Sequence, residues 1–181
     1  MKKLFSLLAL TAFFALTVLA ADDVVSVVHG VVTKVDEASK TIAVKTKDGT
    51  VHTIHFVDKT VVYGAGGVET GAKDTFHGVK EGSEVVAHYT VKGTEESAVE
   101  VDKVGKEGVK AAEGTVTKVG EDGKTVTVKA ADGTEQTFEV IRHGAKEGAV
   151  DTAKGTEKGA KVTVYYTEKA GKKVAHFFEK L

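Results

Sequence analysis

The sequence predicts an all-β protein made of two copies of one small unit, each with five strands. The stretch from Gly30 to Phe56 aligns without a gap with the stretch from Gly114 to Val140, and 14 of the 27 aligned residues are identical. Short runs rich in valine and threonine, separated by Asp-Gly pairs, recur in both stretches. Because self-similarity at one fixed spacing indicates repeated structural units, we expect two tandem domains of the same fold.

The first three strands of each copy are predicted to form a meander. In the first copy they span 27–35, 41–46 and 51–57, and in the second copy 112–119, 125–130 and 135–141. The second turn contains Asp48-Gly49 in one copy and Asp132-Gly133 in the other. Asp-Gly between alternating runs favours a hairpin, because glycine readily adopts the positive φ of a tight turn.

A glycine-rich stretch follows the meander in each copy, at 64–82 and 144–159. So many glycines disfavour a long helix, and we expect a loop with about one helical turn. The run from Tyr63 to Gly67 matches no phosphate-binding fingerprint and is predicted to be a flexible connector. The fourth and fifth strands are then predicted at 83–91 and 97–104, and at 160–168 and 174–181.

Five short strands, with a longer connection after the third, have the count and spacing of a small Greek-key barrel of the oligonucleotide/oligosaccharide-binding (OB) type. The first barrel is predicted at 24–104, a linker at 105–111 and the second barrel at 112–181. The motifs Gly-x-Val-x-x-Val at 30–35, Thr-Ile-x-Val at 41–44, Asp-Gly-Thr at 48–50 and Gly-x-x-Val at 82–85 resemble exported bacterial OB-like barrel domains of unknown function. The resemblance covers both copies and implies a fold but no activity.

The amino terminus has the pattern of a secretory signal peptide at 1–20. Lys2 and Lys3 precede an apolar run from Leu4 to Val18, and small residues follow, so we expect cleavage after Ala20 and a periplasmic or secreted protein. An uncleaved membrane anchor is the alternative; after cleavage we expect no stable membrane insertion. The chain has no cysteine, which excludes disulfides and lipid attachment at a cysteine.

Charge argues against nucleic acid as a partner. Without residues 1–20 the chain has 23 basic and 26 acidic side chains, a net charge of −3, and the signs alternate along the sequence. Arg142 is the sole arginine, although arginine is the residue best suited to phosphate.

No catalytic motif is recognisable in either copy, so we expect a protein that is not an enzyme and that needs no cofactor. Histidine is the one candidate for site chemistry, and a metal site is not predicted, because most of these residues suit an ordinary surface. His52 and His55 are three apart on one strand and therefore point to opposite faces. If a metal site exists, His77 and His88 are the favoured pair.

Two aromatic residues of the second copy form the candidate partner surface. Strand alternation places Tyr165 and Phe177 on the outer face of neighbouring strands, and His176 and Phe178 on the inner face. Clustered outward aromatics favour a protein partner or homo-oligomer, while packing against the first copy or the linker and ligand stacking are the alternatives. We therefore expect an exported, non-catalytic binding or structural module acting through a protein surface, or alternatively a periplasmic metal or small-ligand binding protein.

Overall fold

A computed structural model of the chain describes residues 25–64, 67–70, 76–106, 108–121, 123–140 and 156–181. These residues form strands and no helix, which confirms the predicted all-β class. The first repeat contains β1 (Val25–Asp36), β2 (Thr41–Lys45), β3 (Val51–His55), β4 (Val61–Gly64), β5 (Gly67–Thr70), β6 (Glu84–Lys92) and β7 (Glu95–Lys103). The second repeat contains β8 (Lys110–Val119), β9 (Thr125–Lys129), β10 (Glu135–Val140), β11 (Lys161–Lys169) and β12 (Lys172–Lys180).

Some expectations fall on other parts of the chain. The predicted signal peptide at 1–20 and most of the second glycine-rich stretch lie outside the described residues. Among the residues described, no helix is long and apolar enough to cross a bilayer.

The strands of the second repeat close on themselves. Their order is β10-β12-β11-β8-β9, and β10 also pairs with β9. All neighbours are antiparallel except β10 and β12, which run parallel with Glu139 opposite Val174. Each described strand of this repeat therefore has a neighbour on both sides, so these strands leave no edge open.

The first repeat uses the same cycle and adds a hairpin. Its order is β3-β2-β1-β6-β7, and β3 pairs in parallel with the start of β7. The end of β7 pairs instead with β4, which forms a hairpin with β5. The prediction of five strands is therefore wrong for this repeat, because the glycines beside Val61, Val62 and Tyr63 obscured a short β-forming run. Gly64 and Gly67, predicted to belong to a flexible connector, pair across this hairpin.

Each repeat has its own apolar core, formed by inward side chains of its strands. Ala87 and Tyr89 in the first repeat, and Val164 and Tyr166 in the second, face these cores as alternation predicts. Gly30 and Gly114 occupy equivalent positions in the two repeats, and both must be glycine for a steric reason. A Cβ at either position would overlap the backbone oxygen of a lysine on the next strand.

A β-bulge sets the outward face of the last strand in each repeat. In β12, Tyr165 pairs with Phe177 and Tyr166 with Ala175, which leaves His176 as the extra residue. An extra residue interrupts strict alternation and redirects a side chain. Phe178 lies in the core as predicted, but the inward assignment of His176 is wrong, because its ring contacts side chains of the first repeat.

The two repeats pack against each other through these outer faces. Val86 and Val109 are buried together with Tyr165, and the rings of Tyr63 and Phe177 pack around them. The connection between the repeats is short, since Val104 bridges Val109 and β8 begins at Lys110, inside the predicted linker.

Candidate metal centre

Three side chains with metal-binding chemistry share the outer face of β6 and β7. The two strands are antiparallel, and His88 lies directly opposite Glu100. Glu100 and Asp102 are two residues apart on β7, so they point to the same side of the sheet. Val101 between them lies in the apolar core, which places the two carboxylates on the outer face of the sheet of the first repeat.

These side chains bring their ligand atoms together. One atom each from His88, Glu100 and Asp102 lies within 4.8 Å of the other two. In a tetrahedral zinc site, two ligands bound at about 2.0–2.2 Å from the ion lie roughly 3.3–3.6 Å apart. A common ion therefore requires the side chains to draw their ligand atoms together by up to about 1.5 Å.

His176 reaches the same cluster from the second repeat. Its Nδ1 lies 3.0 Å from Oε1 of Glu100 and 3.0 Å from Oδ2 of Asp102. The contact of Nδ1 with Glu100 is a hydrogen bond, and its contact with Asp102 is an ion pair. On the other side of the ring, Nε2 lies 3.1 Å from the hydroxyl of Thr167.

The cluster is almost completely shielded from solvent, although it lies outside the apolar cores of both repeats. Exposure is 0% for Asp102, 1% for His88, 2% for His176 and 9% for Glu100. Docking of the second repeat covers these groups, and removing a charge from water costs several kcal/mol even after relaxation. Oδ1 of Asp102 is buried and has no hydrogen-bond partner among the described residues. A positive ion would compensate this buried carboxylate oxygen.

Burial and neighbouring charge shift two pKa values in the cluster. Burial raises the pKa of Asp102 to about 7, although His176 acts in the opposite direction. Burial lowers the pKa of His176, but hydrogen bonds and charge from Asp102 and Glu100 raise it more strongly, to about 9. At neutral pH His176 is thus an imidazolium that lies beside Glu100 and Asp102.

A second polar group lies at the same inter-repeat contact. His29 lies 2.8 Å from Oε1 of Glu84 in its own repeat and 3.2 Å from Oε2 of Glu179 in the other. The hydroxyl of Tyr165 approaches both ring nitrogens of His29 and donates to Glu179 at 3.0 Å. Burial and the hydrogen bond to Glu179 raise the pKa of this tyrosine far above its ordinary value.

The candidate partner residues both lie at this contact. The rings of Tyr165 and Phe177 stack at 6.1 Å between centroids, on the same face as predicted. Tyr165 is 3% exposed, because the first repeat covers it. The structure thus shows the alternative in which the first copy packs over these rings, and an external partner at Tyr165 and Phe177 stays a prediction.

The structure does not bring His77 and His88, the pair favoured from the sequence, into one cluster. His88 belongs to the buried cluster, whereas His77 is not among the three grouped ligand residues and lies in a turn with a positive φ of 46°. His52 pairs with Glu96 at 2.9 Å inside the first repeat.

Sequence reasoning missed Glu100, Asp102 and His176. A usable signal was present, because Glu100 and Asp102 alternate with valines on one strand and His88 occupies an outward position on its neighbour. Outward acids next to an outward histidine on paired strands indicate a possible ligand set.

No protein-family model matches the chain, and no curated protein resembles it. The geometry of the cluster is therefore the ground on which a function can be assigned.

Proposed function

We propose that this protein is an exported, non-catalytic binding protein for a divalent transition-metal ion. The observation that carries the proposal is the buried group of His88, Glu100 and Asp102, whose ligand atoms lie within 4.8 Å of one another. This is the alternative function that the sequence suggested, and of the favoured pair it keeps His88 and replaces His77 with Glu100 and Asp102. The protein-surface hypothesis receives less support, because the rings assigned to it lie at the contact between the repeats.

The ligand types indicate which ions suit the site. Imidazole nitrogen favours zinc, copper, iron or nickel, whereas magnesium and calcium prefer all-oxygen environments with more ligands. The set contains no thiolate, since the chain has no cysteine. A borderline ion such as Zn²⁺ therefore suits His88 and the two carboxylates better than Ca²⁺ or a soft monovalent ion.

We also propose that each repeat is an OB-like barrel. In both repeats the strand cycle runs first-second-third-fifth-fourth when the extra hairpin of the first repeat is left out, and the third and fifth strands are parallel. This connectivity supports a five-stranded Greek-key barrel of that type. The amino-terminal pattern at 1–20 supports export to the periplasm or beyond.

Calorimetric titration of metal-free protein tests the function. Protein treated with chelator and dialysed is titrated separately with Zn²⁺, Ni²⁺, Mn²⁺, Mg²⁺ and Ca²⁺. We expect a single transition-metal ion to bind per chain, with Mg²⁺ and Ca²⁺ much weaker. Zinc at 100 times its dissociation constant should stabilise the fold by about 2.7 kcal/mol in a melting experiment.

Matched variants locate the ion. Asp102→Asn keeps the shape of the side chain but removes its charge, and should abolish stoichiometric binding. His52→Gln changes a histidine that also pairs with a glutamate but lies outside the cluster, and should bind zinc like the original protein. Absence of stoichiometric binding by every transition metal, or unchanged binding by Asp102→Asn, would refute the proposal.

A further inference from the structure

We infer that His176 is a fourth ligand of this ion, so that the site is complete only when the second repeat is docked on the first. The inference rests on the proposed metal site, whose three grouped residues all belong to the first repeat. It adds a ligand from the second repeat, so that the bound ion would join the two repeats.

The position of Nδ1 carries the first step. This atom is 3.0 Å from a carboxylate oxygen of Glu100 and 3.0 Å from one of Asp102. If the ion binds both oxygens on the side that faces His176, Nδ1 lies within coordination range of it. Metal binding would then replace the N–H contacts of His176 with a metal–nitrogen bond, and the Nδ1 proton would leave to solvent.

The other side of the ring is held as in many metal-binding histidines. Nε2 lies 3.1 Å from the hydroxyl of Thr167 on the neighbouring strand, which can accept its proton. Such an outer contact fixes the tautomer and leaves the opposite nitrogen available to the metal. The bulge in β12 turns His176 out of its own barrel, and the edge-on ring of Tyr63 from the first repeat lies 5.5 Å away.

The surroundings explain why coordination would stabilise docking. The cluster lies on the sheet face that also carries Val86, which packs with Tyr165 of the second repeat. A ligand that binds the docked arrangement more tightly than the separated one shifts the population toward docking. Metal binding and inter-repeat contact are therefore linked, and each should strengthen the other.

Ligand counting provides a test that needs no substitution. X-ray absorption at the zinc edge distinguishes one bound imidazole from two in the intact protein. We expect two, from His88 and His176. A single imidazole would overturn the inference and leave the proposed metal site standing, whereas failure of zinc to bind at all would remove both.

Three variants extend the test, with affinity measured by competition against a chromophoric chelator. His176→Ala should weaken zinc binding by about 100-fold or more, and Thr167→Val by roughly 10- to 100-fold while the ligand itself remains. His52→Gln is the matched control and should leave the affinity unchanged. Unchanged affinity in both His176→Ala and Thr167→Val would contradict the inference, even if His176→Ala alone disturbed packing.

Distance measurements test directly whether the ion joins the two repeats. Because the chain has no cysteine, spin labels can be placed at cysteines introduced for the exposed residues Lys47 and Lys158, one in each repeat. We expect zinc to narrow the distance distribution relative to chelator, and His176→Ala to abolish that narrowing. If protein that binds zinc gives the same distance distribution with zinc and with chelator, the ion does not join the repeats. The proposed metal site itself would then still stand.

Discussion

Nδ1 of His176 in the second repeat lies 3.0 Å from Oδ2 of Asp102 in the first. The contact joins two nearly inaccessible side chains whose pKa values both depart from the ordinary range. It links the repeats through ionisable groups beside the apolar contact of Val86 and Tyr165. The proposed metal site, the side chains with shifted pKa values and the contact between the repeats therefore lie at one place.

Metal-free protein should lose stability as the pH rises from about 4 to about 9. The folded pKa of Asp102 is raised from 3.8 to about 7, so the folded state binds more protons than the unfolded state between these values. The folded pKa of His176 is raised from 6.5 to about 9, and its stabilising contribution is complete below 6.5 and lost by about 9.

Urea unfolding in chelator at several pH values measures this contribution. The control is Asp102→Asn, which should flatten the fall below pH 7, because its side chain has no proton to lose. Greater stability in the original protein than in Asp102→Asn, growing steadily from pH 5 to pH 8, would contradict the assigned direction.

Zinc affinity should show the opposite trend and rise with pH up to about 9. A zinc ligand must be deprotonated, and the raised pKa of His176 means that its proton has to leave at neutral pH. Calorimetry in two buffers of different ionisation enthalpy measures the released protons directly. We expect proton release at pH 7.5 that falls in His176→Ala; equal release by both proteins would argue against displacement of this proton.

Tyr165→Phe should weaken the contact between the repeats while preserving its apolar packing. The change removes the hydroxyl that contacts His29 and Glu179 but keeps the ring stacked on Phe177. We expect a loss of about 1 kcal/mol in the free energy of unfolding, the usual contribution of a hydrogen bond to a partly buried partner.

A double-mutant cycle with His29→Gln isolates the contact between the repeats. We expect a coupling energy of about 0.5 kcal/mol or more between Tyr165→Phe and His29→Gln, since the two residues touch. Additive effects of the two substitutions would show that this hydrogen bond does not contribute to docking.

Gly114→Ala should destabilise the second repeat although alanine is small. The new Cβ would overlap the backbone oxygen of Lys129 on the neighbouring strand. Relieving such an overlap by backbone movement costs roughly 1–3 kcal/mol. Lys118→Ala, at an exposed position of the same strand, is the control and should change the melting temperature little. A melting temperature for Gly114→Ala equal to that of Lys118→Ala would contradict the steric explanation.

Local pattern predicted much of the fold. The all-β class, the tandem repeat and the approximate spans of ten strands follow from alternation, β-branched runs and Asp-Gly turns, which act within a few residues. The hairpin of β4 and β5 was missed because its glycine-rich sequence contradicts strand propensity, and pairing of Val62 with Val101 overrides that propensity.

The sequence by itself determined which side chains alternate toward each core wherever the strands are regular, and it identified histidine as the residue type with site chemistry. Only the tertiary structure decided which histidines lie in the candidate metal centre. A bulge in β12 turns His176 outward, and docking of the repeats brings it to Glu100, 76 residues away in the chain. Burial and shifted pKa values follow from that contact, since desolvation depends on the groups that surround a side chain in space and not on its neighbours in sequence.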